Sequence, residues 1–164
     1  MTSTVKQNFE QTTFNGPELA QMTGRANVII SDGVATRQLL ATESGSLCLM
    51  DNAAGVVYTL PTPSIGMIFE FMTKTTITSN AAKIITNLAT EFLLGEIFAF
   101  TTATASGAGF AADGTSIRAL SSNGSTTGGI IGDRYKVEAI STTQWLISGV
   151  TVGSGTLATP FATS

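Results

Sequence analysis

A chain of 164 residues in which only 12% are charged, against roughly 25% in ordinary soluble domains, must cover its surface with neutral groups or bury much of it against other proteins. Its formal net charge of −3 and the scatter of its eight Lys and Arg exclude the basic patch on which binding to nucleic acid or to an anionic membrane rests. Positive mean hydropathy and recurrent apolar runs separate it from disordered chains, which are poor in apolar residues and high in net charge.

Residues 1–32 read as an N-terminal arm. From Lys6 to Gln21 the segment is polar and punctuated by Asn15-Gly16-Pro17, with Phe9 and Phe14 as spaced aromatic pegs. Met1 to Gln7 has no signal-peptide hydrophobic core, so synthesis and folding in a cytoplasm are expected. Val28-Ile29-Ile30 is the first strand-like run and ends at the turn Ser31-Asp32-Gly33.

Residues 33–152 read as a β-domain, because short apolar runs alternate with turn signals. Thr36–Thr42 and Ser46–Met50 are expected strands, broken by Glu43-Ser44-Gly45 and closed by Asp51-Asn52. Val56, Tyr58 and Leu60 share one face of the next strand, which Pro61-Thr62-Pro63 stops. Gly66–Lys74 puts Met67, Phe69 and Phe71 on one side and Ile68, Glu70 and Met72 on the other. Ala82–Thr86 and Phe92–Phe100 continue the series. Aromatics, Ile97 and flanking threonines favour strand over helix in the latter, with a bend at Gly95.

The Ala/Gly/Ser/Thr-rich stretch Thr101–Gly114 reads as an exposed loop. Ser116–Ser122 is strand-like and precedes a Gly-rich connection. Asp133–Ile140 turns Tyr135, Val137 and Ala139 inward. With Thr143–Val150, which places Trp145 and Ile147 on one face, it forms an expected antiparallel hairpin. Residues 153–164 read as an extended C-terminal tail with Phe161 as its peg. The expected fold is therefore all-β: a β-sandwich or jelly-roll-like domain of about eight short antiparallel strands with extended arms at both ends. No internal repeat stands out.

Chemistry is sparse. There is no histidine, which removes Ser-His-Asp and Cys-His constellations and the commonest metal ligand. Cys48 is the only cysteine, so it forms no intrachain disulfide and no cysteine zinc site. Between Leu47 and Leu49 it reads as a packed thiol. Asp32, Asp51, Asp113 and Asp133 sit in turn-like contexts, and they are too widely spaced for a calcium loop. The Gly-rich segment Ser125–Asp133 lacks the Gly-Lys-Ser/Thr ending of a phosphate loop. No catalytic, cofactor-binding or metal-ligating residue is expected, no cofactor, and no small-molecule substrate.

Several phrases carry a resemblance. They are Ser44–Gly55 (Ser-Gly-Ser-Leu-Cys-Leu-Met-Asp-Asn-Ala-Ala-Gly), Val57–Pro63, Gly66–Phe71, Thr78–Thr86 and Gly132–Gly149. Over residues 36–159 the chain resembles the small β-rich decoration (cement) proteins of tailed-bacteriophage heads. That resemblance implies a homotrimer on the capsid exterior of the virion, clamping neighbouring copies of the major capsid protein against the pressure of the packaged genome. Phe9, Phe14 and Phe161 are the expected capsid or subunit contacts. A phage tail-fibre or spike module that binds a host receptor or glycan is the alternative. It has against it the lack of a long repetitive shaft or of coiled-coil heptads in these residues.

Overall fold

The computed structural model describes residues 28–101 and 106–164. Among them are twelve strands: β1 (Ile29–Ile30), β2 (Thr36–Gln38), β3 (Leu47–Met50), β4 (Val57–Thr59), β5 (Ile68–Thr73), β6 (Ala82–Ile85), β7 (Phe92–Thr101), β8 (Gly107–Asp113), β9 (Ala119–Ser122), β10 (Arg134–Ala139), β11 (Gln144–Gly153) and β12 (Phe161–Ala162). The only helix among the described residues is a single 3-10 turn, Ala41–Glu43. The strands form a seven-stranded sheet in the order β1-β3-β5-β10-β11-β7-β8 and a five-stranded sheet in the order β12-β9-β6-β4-β2.

The all-β expectation agrees with this architecture, but the expected count and direction of the strands do not. Half of the pairings are parallel: β1 with β3, β3 with β5, β2 with β4, β4 with β6, and β7 with β11. From β1 to β6 the chain alternates between the two sheets, and each visit adds a strand beside the previous one of that sheet. A return to the same sheet by way of the other one restores the original strand direction, so neighbours are parallel without a helical crossover. The later half contains the expected β10–β11 hairpin and a β7–β8 hairpin, both antiparallel.

Period-two patterning explains why these segments are strands. Cys48 and Met50 of β3, Phe69 and Phe71 of β5, Tyr135, Val137 and Ala139 of β10, and Trp145 and Ile147 of β11 are all buried. They meet Tyr58, Ile84 and Leu120 of the five-stranded sheet in one core cluster. The Tyr58 ring meets Phe71 edge-on at 5.5 Å, and its hydroxyl donates to the Leu49 carbonyl at 2.8 Å. The two sheets are thereby fastened through β3, β4 and β5.

Four boundaries move. The run Thr36–Thr42 is strand only to Gln38, because the 3-10 turn follows and Glu43 accepts a hydrogen bond from the Leu40 amide at 2.8 Å. Thr101–Gly114 is not a loop throughout, since β8 pairs with β7 from Leu94↔Asp113 to Phe100↔Gly107. Its small residues give no propensity signal, yet they suit an edge strand beside bulky neighbours. β1 falls inside the expected arm, and β12 falls inside the expected tail. β12 pairs antiparallel with β9 (Phe161↔Leu120), so the chain end is folded into the five-stranded sheet.

Gly95 confirms a special position within β7. Its φ is +129°, and a Cβ there would lie 2.1 Å from the Ile147 carbonyl oxygen, which leaves room for no side chain.

Candidate assembly surface

Of the three expected contact residues, Phe9 and Phe14 lie outside the described residues. Phe161 is 7% exposed and belongs to the core cluster. As β12 closes the edge of the five-stranded sheet, its side chain is used within the chain, not held out on a tail. The expectation of an outward Phe161 peg is therefore corrected.

A different apolar surface emerges from the strand register. The outward residues of the seven-stranded sheet align in rows across the strands. One row runs Leu49, Met72, Arg134, Val150, Phe98 and Gly109. The next runs Leu47, Glu70, Lys136, Ser148, Glu96 and Ala111. Phe98 is 52% exposed and Val150 49%. Leu146, also exposed, stands beside Leu94, and Val152 beside Phe100. Large apolar side chains scattered singly on a surface need no explanation, but neighbouring ones on one sheet face mark an interaction surface.

Between β3, β5, β10, β11 and β7 this face carries a concavity of about 360 Å³, whose lining includes Leu47, Val150, Val152 and Phe100 together with the charged Glu70, Arg134 and Lys136. Lys136 is ion-paired with Glu138 at 3.2 Å, an exposed pair of the kind that contributes little to stability.

Behind this face lies a polar cluster that sequence reasoning took only for a turn. Asp133 is 2% exposed. One carboxylate oxygen accepts from the Gly129 amide at 2.7 Å, the Ile130 amide at 3.2 Å, the Tyr135 hydroxyl at 3.4 Å and the Thr151 hydroxyl. The other accepts from the Val152 amide at 2.8 Å. Burial and the Asp133 carboxylate hold the Tyr135 hydroxyl well above the usual phenol range. The Asp133-Arg-Tyr135 spacing, which carries the inward alternation of β10 one residue ahead of its start, was the available signal. With every near neighbour a backbone amide or a hydroxyl, the cluster ties the Gly-rich connection to β10 and β11.

Five other carboxylates are likewise tied into turns and ion pairs of the fold. Asp113 accepts from the Thr115, Ser116 and Ile117 amides and from the Ser116 hydroxyl. Those bonds, led by the Ser116 hydroxyl, hold its carboxyl well below the usual range. Asp32 and Glu43 flank Arg37 in a small ion-pair cluster at the 3-10 turn, and Asp51 accepts from Ser31. Glu91 is buried and closes its own turn through the Asn87 and Leu88 amides. Burial pushes the Cys48 thiol up to about 12, with the Glu43 charge adding to it. Among the described residues no group of three His, Cys, Asp or Glu is placed to hold a metal ion, and no helix is long and apolar enough to cross a membrane.

No family model matches the chain, and no curated protein or solved structure is significantly similar to it.

Proposed function

We propose that this chain is a structural virion protein that decorates and stabilises a phage head by bridging copies of the major capsid protein from the capsid exterior. The observation that carries the reading is the group of exposed apolar side chains, Phe98, Val150 and Leu146, on one sheet face of a charge-poor chain whose buried polar side chains serve the fold. Assemblies that last commonly bury apolar patches depleted of charge. In this reading the two sheets pack as a sandwich, supported by the core cluster that both contribute to. The parallel neighbours β1-β3-β5 and β2-β4-β6 lend no support to the jelly-roll form. The homotrimeric state and the absence of enzymatic activity belong to the same proposal.

A tail-fibre or spike module is the second reading, favoured by the alternating winding of β1 to β6, a unit that could stack with further turns of the same kind. Electron microscopy of particles labelled with an antibody to this chain separates the two. Label distributed over heads supports decoration. Label confined to tails replaces it with the fibre or spike reading.

A further inference from the structure

β1 and β8 end the larger sheet, and β12 and β2 end the smaller. A free edge is a row of unpaired peptide groups that can take up a further strand, and proteins blunt it with short strands, charge, proline or bulges. Three of these edges are blunted. β1 and β12 have two residues each and β2 has three, with Arg37 of β2 held between Asp32 and Glu43. β8 is different. Its seven residues include no lysine, arginine or proline, and its register with β7 is unbroken by a bulge. Its one charge, Asp113, stands last and is taken up by its own turn.

Hydrogen-bond parity shows which groups of β8 are free. Thr101 donates to the Ser106 carbonyl at 2.8 Å and Gly114 to the Leu93 carbonyl at 2.9 Å, at the two ends of the β7–β8 ladder. Bonded and non-bonded pairs alternate along an antiparallel ladder. Ala108, Phe110 and Ala112 therefore turn their peptide groups toward β7, and Gly107, Gly109, Ala111 and Asp113 turn theirs away from it. Those four residues are exposed, and their peptide groups have no partner among the described residues.

We propose that a second copy of this chain lays its own β8 antiparallel along this edge, about a two-fold axis through Phe110 and normal to the sheet, so that the two larger sheets become one. Gly107 then faces the other copy's Asp113, and Gly109 its Ala111. All four outward residues fall in pairs that exchange two hydrogen bonds. A shift of one residue would set outward groups against inward ones. A strand edge laid antiparallel on itself is complementary to itself, as a two-fold interface requires.

The side chains agree with this register. On the outer face no like charges meet, because each Asp113 lies opposite a glycine. On the inner face Phe110, half-buried against the core cluster, comes opposite the other copy's Phe110 in a non-hydrogen-bonded pair. Cβ atoms in such pairs stand about 4.5–5.5 Å apart, and aromatic pairs there add stability. This meeting of two half-covered rings at the centre selects a second copy over a foreign strand. The pairing rests on the edge alone and stands apart from the head-decoration reading.

Sedimentation of the purified full chain, with circular dichroism to confirm folding, tests it. A Cβ at Gly109 would meet nothing within 4 Å, and the Gly109 amide is not used toward β7, so substitutions there leave β8 in place. Wild type is expected to pair with even stoichiometry. Gly109→Pro, which removes the outward donor, is expected to raise the dissociation constant roughly tenfold or more, whereas Gly109→Ala, which keeps it, pairs as wild type. Under mild oxidation with copper phenanthroline, Phe110→Cys is expected to form an interchain disulfide and Ala108→Cys none, since Ala108 lies opposite the other copy's Ala112. Cys48 is buried and does not compete. A monomeric wild type overturns the proposal and leaves the edge to residues 1–27 or to another protein. A wild type found only as a trimer overturns it, as does pairing unchanged by Gly109→Pro in a folded variant. Cross-linking of Ala108→Cys as readily as Phe110→Cys overturns the register.

Discussion

Residues 28–85 and residues 92–162 reach the same two sheets by different means. In the first region the chain alternates between sheets, and no strand exceeds the six residues of β5. In the second, β7 and β11 run side by side for ten register pairs, each with an antiparallel hairpin partner. Short strands have few ladder bonds of their own, so the first region depends on side chains that cross between sheets, such as Tyr58 on Phe71. The second region holds its strands by long ladders and by the buried Asp133 cluster. Ladder length and core anchoring are thus alternative solutions to the same entropy cost of ordering backbone.

The largest expected effect falls in the second region. Asp133→Ala would leave the Gly129, Ile130 and Val152 amides and the Thr151 hydroxyl without their acceptor, while the Tyr135 hydroxyl keeps Thr151 and Ser122 as partners. Orphaning a buried network of this kind costs about 3–5 kcal/mol. Denaturant unfolding checks it, and a loss under about 1 kcal/mol would show that water replaces the carboxylate.

Next is Met50→Ala in the first region. Met50 is fully buried on β3, and its truncation is expected to cost about 2–5 kcal/mol. Since one core joins the regions, unfolding should remain a single transition in both variants. Separate melting of the two regions would break the comparison.

Hydrogen exchange sharpens it further. Amides of β7 and β11 in the centre of the long ladder should exchange slowest, and those of the edge strands β1 and β2 fastest. Similar protection throughout would mean that ladder length has no influence on local opening.

The effect confined to alkaline solution is the pH dependence set by Cys48. Its thiol is held protonated up to about 12 by burial, whereas in the unfolded chain it ionises near its ordinary ~8.5. A group with a raised folded pKa contributes stability that is complete below the unfolded value and is lost as pH rises through the folded one. Stability should therefore decline from about pH 8.5 towards pH 12, less steeply in Cys48→Ala. An unchanged slope in that variant would assign the decline to Tyr58 and Tyr135, whose hydroxyls burial also holds above the phenol range.

Much of this architecture was legible from alternation alone. Phe69 with Phe71, Tyr135 with Val137 and Ala139, and Trp145 with Ile147 showed their inward faces because period-two burial leaves its mark on each strand by itself. Strand partners leave no such mark. The winding of β1 to β6 has no fixed period, as Ile29 pairs with Leu47 and Leu47 with Glu70 at unequal intervals, so no sequence repeat announced it. β8 was missed because Gly107, Ala108 and Gly109 carry neither β-propensity nor alternation, and its pairing is dictated by β7. The assembly face was hidden for a related reason. Phe98, Val150 and Met72 are distant in the chain and become neighbours only through register. Phe161 shows the opposite error, since an isolated aromatic near a chain end resembles a peg until β9 is known to lie beside it.

The central claim is that this chain associates through exposed apolar side chains, with charge contributing little. Its most direct test is retention on phage heads, with head survival on heating, at low salt and at about 1 M salt. Exposed ion pairs are screened within about 10 Å at 0.1 M salt and about 3 Å at 1 M, whereas apolar burial is not weakened by salt in this way. The account predicts equal retention at both salt concentrations and heads that survive to higher temperature with the protein than without it, because binding only to the assembled state stabilises that state. Release at high salt, or heads equally heat-tolerant with and without the protein, would contradict it.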